Sequence, residues 1–503
     1  METEIEIKFF FSTEFELELY EAINTHRYIA NKKQLLHNVY FDTAGRSLRK
    51  MAMCLRVRTC DDKSVQTVKT AGRVIGGLHQ RPEYNEVIEG LRPELARFNS
   101  KIWPENCSIK ELENELIPIF STDFERQTWL VEMPDDTLIE VAYDKGFIET
   151  NQGKIEICEI ELELVKGDEK QLFILGGDIA LLPQARLGNV SKAQRGYMLA
   201  DGSRFEIKPL VHSPLTPSMS VEQALLTNMQ HGLRHIQYHE HSYCEQFNDD
   251  ALKELLHGIK FLHQNLKLFK NAQPVLLEAN WIEDLHWLAR TFSWLDERFI
   301  NQSLLEDKGF YLRKLPKYKS LVKKLQAQNE QLPSQQSVVE LLCSTRYCQF
   351  VLKFTNWLIQ FEKSTFSNDN ANTIKAFSSN CLDTVWGELM LALNEQEVSS
   401  TSHILSCQGL LEGTLLTGLS VGNVFSRERS MVFRSPWLDI KQGIEGLAML
   451  NVIVDIAEQE DSSELQSEYF KWIKRKEESL LHAVEQSKQQ AVLKEIYWHS
   501  TEE

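Results

Sequence analysis

The sequence predicts a two-part α+β chain, and three observations point to it. Residues 1–200 break into about eight short segments with period-two alternation and β-branched or aromatic content. Gly202, Pro209, Pro214 and Pro217 then interrupt every periodic pattern over 201–220. From Ser220, a residue type that caps helix starts, apolar residues recur at helical spacing through the rest of the 503-residue chain. The expected organisation is a strand-built domain at 1–200, a linker at 201–220 and an all-α domain at 221–503. A chain of this length needs more than one core.

The strands are expected at Glu4–Phe11, Asn38–Phe41, Cys54–Arg58, Val65–Thr70, Arg81–Val87, Glu125–Met133, Leu138–Asp144 and Ile155–Val165. Phe15–Asn24 has helical composition, and Ser191–Leu199 reads as a short strand or helix. Long helices are expected at Val221–His241, Asp249–Phe269, Val275–Phe299, Ser337–Phe361, Thr373–Glu395, Gln408–Leu419, Ile440–Glu458 and Ser463–Trp498. Gln326–Ser337 is Gln-rich and reads as a connection or an exposed helix end. Phe433–Asp439, with its Pro436, reads as a helix-start segment.

A net charge of −17 argues against general nucleic-acid affinity, although a local basic site can exist within an acidic molecule. There is no run of about 18 apolar residues, and the chain starts with Glu2 and Glu4 rather than a basic, then apolar, leader. A cytoplasmic location without membrane association is therefore expected. The nine cysteines form no CxxC pair, so neither a disulfide framework nor a zinc site is indicated.

Nearly every strand has one charged face. Glu4, Glu6 and Lys8 alternate with Ile5, Ile7 and Phe9, and Glu159, Glu161 and Glu163 alternate with Ile160, Leu162 and Leu164. Arg56 and Arg58 flank Val57, Lys69 follows Val68, Arg81 and Glu83 flank Pro82, and Glu140 shares a face with Asp144. Facing outward, these would be the solvated side of an ordinary sandwich. Facing inward in a closed barrel, each uncompensated charge would cost several kcal/mol against a total stability of about 5–15 kcal/mol. The interior would then be a wet tunnel, balanced by its own opposite charges and by a ligand. Clustered carboxylates with oxygen-only donors suit Mg²⁺ or Mn²⁺, and arginine forks and lysines suit phosphate oxygens. Such a cavity fits a metal–polyphosphate better than a nucleic acid, which would need an exposed basic face with stacking aromatics.

Glu4-x-Glu6-x-Lys8, Tyr40-Phe-Asp-Thr43, Leu55-Arg-x-Arg58, Lys69 in Val-Lys-Thr-Ala-Gly-Arg, Glu161-x-Glu163 and Ser191-Lys-Ala-Gln-Arg-Gly-Tyr197 occur in an order that resembles a CYTH domain. This is the triphosphate tunnel metalloenzyme fold, and the resemblance covers most of residues 1–200. Gly76-Gly-Leu-His-Gln-Arg-Pro-Glu-Tyr-Asn85 and the helical second half are similar to bacterial inorganic triphosphatases with a C-terminal CHAD domain.

The resemblance implies an eight-stranded antiparallel β-barrel followed by a helical bundle, hydrolysing inorganic triphosphate to diphosphate and phosphate with Mg²⁺ or Mn²⁺. It implies that Glu4, Glu6, Asp144, Glu161 and Glu159 or Glu163 hold metal. It further implies that Lys8, Arg56, Arg58, Lys69, Arg81, Arg126, Arg186 and Lys192 bind phosphoryl oxygens and that Glu83 orients a partner. Glu6, Lys8 and Lys69 are the residues expected to carry catalysis. Thiamine or nucleoside triphosphate hydrolysis and class IV adenylate cyclase activity would use the same groups. A non-catalytic polyphosphate-binding module is the alternative from another class.

Several residues have blander readings. Tyr40 is expected to pack in the wall, Asp42 to serve a turn or cap, and Gly72, Gly76 and Gly77 to form a hairpin connection. His231, His235 and His239 share a helix face, which is expected to be a packing or solvent face rather than a metal site. CHAD domains are thought to bind polyphosphate through basic His-x-x-Arg helices. Here the corresponding helix, Asp250–Lys270, offers Lys253, Lys260, His263, Lys267 and Lys270 but no arginine. Lys314, Lys317, Lys319, Lys323 and Lys324 are expected to form a solvated face.

Overall fold

The structure, a computed structural model, describes residues 2–499 apart from 61–62, 106, 308, 311, 365–372 and 396–399. Its strands are β1 (Glu2–Phe10), β2 (Tyr28–Asp42), β3 (Cys54–Cys60), β4 (Lys63–Lys69), β5 (Arg73–Ile75), β6 (Leu78–Ile88), β7 (Ile117–Glu132), β8 (Leu138–Thr150), β9 (Gly153–Lys166) and β10 (Arg186–Leu187). Around the sheet the order is β1-β9-β8-β7-β2-β3-β4-β6, and β6 pairs back onto β1. Eight antiparallel strands thus close a barrel, with β5 and β10 added to β6 and β1 at its ends. Closure removes the sheet edges.

All eight expected strands are present, and most are longer than their alternating stretches. β2 begins ten residues before Asn38, because Asn31, Lys32, Lys33 and Gln34 continue the pairing with β7 on an exposed, polar section that carries no apolar alternation. Gly76, at φ +58°, makes the tight β5–β6 connection, as expected of a hairpin glycine.

The apolar strand faces point outward. Ile7, Phe9, Ile160 and Leu162 are fully buried, although they lie outside the barrel wall. Helix Lys170–Ile179 covers β1 and β9 with Leu172, Leu175 and Ile179. On the other side, Leu55, Val57 and Val68 pack against Leu95, Phe98, Trp103 and Leu112. Burial of this outer shell holds the barrel together and leaves its interior to polar groups.

The chain divides into two compact units, Met1–Glu206 with Val339–Ile359, and Ile207–Val338 with Gln360–Glu503. The second unit is helical. Ser220 caps helix Val221–Gln246 in a reciprocal capping box with Gln223, and helix Asp249–Phe269 follows at its expected bounds. Three helical expectations are corrected. Val275–Phe299 is not one helix but a 3₁₀ turn at Pro274–Glu278 followed by Ile282–Thr291 and Leu295–Leu305. Ser337–Phe361 divides at Ser344, whose hydroxyl accepts from Tyr347 N–H and starts a second helix. Phe433–Asp439 is helix interior: the helix runs Arg427–Glu458 from a cap at Ser426 and contains Pro436. Phe433 and Trp437 pack on Trp386 at ring separations of 5.0 and 4.6 Å, and this burial outweighs the backbone bond that the proline removes.

Candidate active site

Strand register brings the charged faces together inside the barrel. Lys8 pairs with Glu161 and Glu6 with Glu163 across β1–β9; Asp144 pairs with Glu159 across β8–β9, and Arg126 with Asp144 across β7–β8. On the opposite side, Lys69 pairs with Glu83 and Arg81 with Glu4. Acidic strands β1, β9 and β8 are neighbours, as are the basic strands β3, β4 and β6. The interior is therefore polarised across its width, with β1 in both halves.

Three buried carboxylates, Asp144, Glu159 and Glu161, bring oxygen atoms within 4.8 Å of one another. Arg126 grips Asp144 with two bonds of 2.7 Å and Glu161 with one of 2.6 Å. Lys192 reaches Asp144 at 2.7 Å, Glu161 at 3.1 Å and also Glu159. Lys8 reaches Glu161 at 2.6 Å and Glu159 at 3.3 Å. Burial works against the Lys8 ammonium, but Glu159, Glu161 and Glu6 outweigh it and hold its pKa well above the usual lysine range. Burial likewise opposes ionised Glu161, yet Lys192, Lys8 and Arg126 keep its pKa well below the usual value.

Glu4, Glu6 and Glu163 have less compensation. Burial, followed by the neighbouring Glu4 and Glu6 charges, pushes Glu163 up to about 8. Glu6 is also raised, first by burial, with Lys8 acting against it and Glu161 reinforcing it. Glu4 is raised by burial despite its ion pair with Lys69.

On the basic side, Glu83 accepts from Lys69 at 2.7 Å and lies 3.7 Å from Arg56. Arg56 Nε is buried without a hydrogen-bond partner. Arg58 has no carboxylate partner among the described residues; its Nε donates to Asn38 Oδ1 at 2.8 Å. Burial, then Arg56 and Arg126, lowers its pKa to about 9. Arg81 donates to the carbonyls of Thr70, Lys69 and Ala52. Ser191 caps helix Lys192–Ala200, which settles that segment as helix and sets Lys192 at its first turn.

These groups surround a cavity of about 90 Å³, room for several waters, whose wall includes Glu4, Glu6, Lys8, Arg58, Lys69 and Glu161. Arg56, Arg81, Arg126 and Lys192 also face it. Asp144 and Glu159 lie behind this wall, fully buried, and are reached through Lys192 and Lys8. Arg186 departs from its expected place: it is buried on β10 with its guanidinium over the Phe10 ring at 4.8 Å, and does not line the cavity. Tyr40 stacks on Phe120 at 4.3 Å as wall packing, although its edge borders the cavity. Asp42 is a cap, accepting from the N–H groups of Thr43, Leu48 and Arg49 and from the Tyr197 hydroxyl.

Sequence reasoning missed Asn38, His79 and Arg195. Asn38 lies two residues before Tyr40 and so shares its face, the signal that would have found it. His79 lines the cavity and bonds the Gly188 carbonyl at 3.0 Å; burial, then Lys8, lowers its pKa to about 4. Arg195 lies 3.6 Å from Glu159, one helical turn beyond Lys192.

The residues present fit a hard divalent cation. The donor set is all oxygen, Glu159 Oε2 is buried without a hydrogen-bond partner, and the Glu4, Glu6 and Glu163 carboxyls crowd one another.

In the second unit the histidine face is occupied as packing. His231 bonds the Val211 carbonyl at 3.0 Å, His235 bonds Glu254 at 3.1 Å, and His239 donates from Nδ1 to the His235 carbonyl while accepting Lys208 N–H at Nε2. On helix Asp249–Phe269, Lys260 is bound by Asp296 and Glu412. Lys253, Lys267 and, just beyond the helix, Lys270 are exposed. In the later lysine group, Lys317 and Lys324 approach Glu460, and Lys319 and Lys323 are exposed. No helix among the described residues is long and apolar enough to cross a membrane.

Over 197 residues the chain is 36% identical to the inorganic triphosphatase of Haemophilus influenzae, a match covering 39% of this chain and 54% of that protein. The chain thus spans about half the length of this curated relative. A Hippeastrum structure, described as a candidate adenylyl cyclase with a dominant triphosphatase activity, aligns at 23% identity and a TM-score of 0.31, covering 40% of this chain and 96% of that one. The CHAD domain of Ricinus communis aligns at 14% identity and a TM-score of 0.40, covering 56% of this chain and 95% of that one. The CYTH family model matches residues 2–197 and the CHAD family model residues 227–405. The chain therefore carries a CYTH domain, here a closed tunnel with a polarised interior, followed by a CHAD domain.

Proposed function

We propose that the barrel hydrolyses inorganic triphosphate to diphosphate and phosphate with a divalent cation. One observation carries the reading: a closed tunnel whose acidic half faces a basic half in which Arg58 and Arg56 Nε have donors left for a ligand. A half-buried guanidinium among like charges and without a carboxylate, as at Arg58, is costly unless an anion completes it. The 36% identity to an inorganic triphosphatase over the CYTH region supports the same substrate class.

In this reading Arg56, Arg58, Lys69, Arg81 and Arg126 bind phosphoryl oxygens, and Glu83 holds Lys69 and Arg56 in position. Lys8 and Lys192 stay charged among Glu159, Glu161 and Asp144 and stabilise negative charge on the departing diphosphate. Glu4, Glu6, Asp144, Glu159, Glu161 and Glu163 are the residues that would hold Mg²⁺ or Mn²⁺. Bound there, the ion supplies charge neutralisation and an activated water. Arg186, behind Phe10, is left out of the binding set.

Polyphosphate binding by the helical unit has weaker support, because Asp296, Glu412 and Glu445 share the cleft of Lys253, Lys260 and Lys441. Purified protein is expected to release orthophosphate from inorganic triphosphate with Mg²⁺ or Mn²⁺ and to stop on chelation. No release with either metal, or release untouched by chelation, would overturn the reading.

A further inference from the structure

Residues Val339–Ile359 lie inside the stretch that the CHAD family model matches, yet they belong to the compact unit of the barrel. Most of that segment is part of helix Thr345–Lys363. Leu352 of this helix meets Gly176 of the helix that covers β1 and β9, with Leu162 of β9 at the same contact, and Thr345 Oγ1 lies 3.5 Å from the Leu181 carbonyl. Thr355 is fully buried and sits on Gly76, the tight turn between β5 and β6. A Cβ on Gly76 would fall 1.7 Å from Thr355 Oγ1, so the turn and the helix touch there with no room for a further atom. The Thr355 hydroxyl donates to the Val351 carbonyl one helical turn back at 2.7 Å, which holds the side chain in place over the turn.

The turn beneath Thr355 reaches the tunnel by two short routes. The Gly77 carbonyl accepts from Lys8 N–H at 3.2 Å, on the strand where β6 closes the barrel onto β1. Gly72, just before β5, lies against the stem of Arg81: a Cβ there would come within 2.8 Å of Arg81 Cγ, and the Arg81 guanidinium bonds the Thr70 and Lys69 carbonyls beside it. Lys8 and Arg81 both line the tunnel. A close-packed contact shifts only together with what it touches, and a small misplacement of a binding group is costly to a reaction. We propose that helix Thr345–Lys363 is a working part of the catalytic barrel: through Thr355 it sets the β5–β6 turn, and with it Lys8 and Arg81, so that Thr355 is a positioning residue for the tunnel reaction. The inference rests on the triphosphatase reading and adds to the tunnel an element that lies outside the residues of the CYTH match.

The test measures kcat and KM for inorganic triphosphate on the full chain, on Thr355→Ser and on Thr355→Ile, with thermal unfolding as a check on folding. Thr355→Ser keeps the hydroxyl over Gly76 and is expected to hold KM within about twofold of the wild type. Thr355→Ile puts extra carbon where the turn leaves no room and is expected to raise KM about tenfold. A reduced folded fraction lowers kcat but leaves KM unchanged, so the rise in KM separates positioning from packing alone. Hydrogen exchange read by mass spectrometry adds a measure that does not depend on hydrolysis: peptides from β1 and from the β5–β6 turn are expected to exchange faster in Thr355→Ile than in Thr355→Ser. If Thr355→Ile does not fold, Thr355→Val, with a smaller excess of bulk, replaces it and is expected to raise KM about threefold. A folded variant of larger bulk with wild-type KM overturns the inference, as does an equal change in Thr355→Ser. A wild type inert on triphosphate refutes the triphosphatase reading itself, a separate outcome; exchange unchanged in both peptides then overturns the positioning role as well.

Discussion

Arg58 is a cation without a carboxylate partner among the described residues of the tunnel. It is half-buried near Arg56 and Arg126, donates to Asn38 Oδ1, and its pKa is lowered to about 9 by desolvation and then by those like charges. The fold tolerates an interaction that opposes its own stability, which is what a site awaiting an anion requires. Arg58→Gln is accordingly expected to raise the melting temperature of the ligand-free protein while lowering kcat/KM for triphosphate by about a hundredfold or more. An unchanged kcat/KM would remove Arg58 from the site. Most of the site was legible in the sequence, because Glu4, Glu6, Lys8, Arg56 and Arg58 lie on two-residue spacing and the resemblance located the rest. Arg186 was misplaced because its strand is two residues long and its side chain turns onto Phe10, which no spacing reveals. Arg195 was missed because its relation to Glu159 depends on how a short helix docks on the barrel.

Individual elements depend on a few buried polar anchors. Asp42 is fully buried at the end of β2, where it ties the following turn and helix Ser47–Lys50 to Tyr197 with four bonds. Asp42→Ala strands those donors and is expected to destabilise the barrel by about 3 kcal/mol or more, measured by denaturant unfolding. An unchanged midpoint would contradict the cap assignment. In the helical unit, His239 joins Lys208 to helix Val221–Gln246 as a neutral ring. Burial, then His235, lowers its pKa to about 4, with Glu254 and Lys208 also facing it. The unfolded chain, titrating near 6.5, therefore binds a proton that the folded ring refuses, and stability falls as pH drops from about 6.5 towards 4. His79 and His212, also lowered to about 4 by burial, add to the same fall, so His239→Asn is expected to make that part of the melting-temperature profile shallower; a variant profile parallel to the wild type would refute it. Helix existence was readable from periodicity, but the breaks at Ala279–Trp281 and Ser344, and the continuity through Pro436, were not. Those depend on tertiary burial and on a hydroxyl competing for the backbone.

Considered as a whole, the barrel inverts the usual arrangement, with apolar faces outward under helices and charge inward. The alternation alone left both directions open, and what decides between them is the burial of Ile7, Phe9, Ile160 and Leu162 outside the wall, with Glu4, Glu6, Lys8, Arg126 and Glu161 lining the cavity. A molecule of net charge −17 nonetheless has a tunnel whose lining combines cations with carboxylates, so the anion affinity proposed for it is local rather than general. The central claim is that this polarised tunnel hydrolyses triphosphate with a metal ion. The most direct measurement is orthophosphate release from inorganic triphosphate with Mg²⁺ or Mn²⁺ by the wild type, Glu6→Ala and Lys8→Ala, with circular dichroism establishing that each is folded. Metal-dependent release by the wild type and its loss in both folded variants is the expected result; full activity in both folded variants would contradict the account.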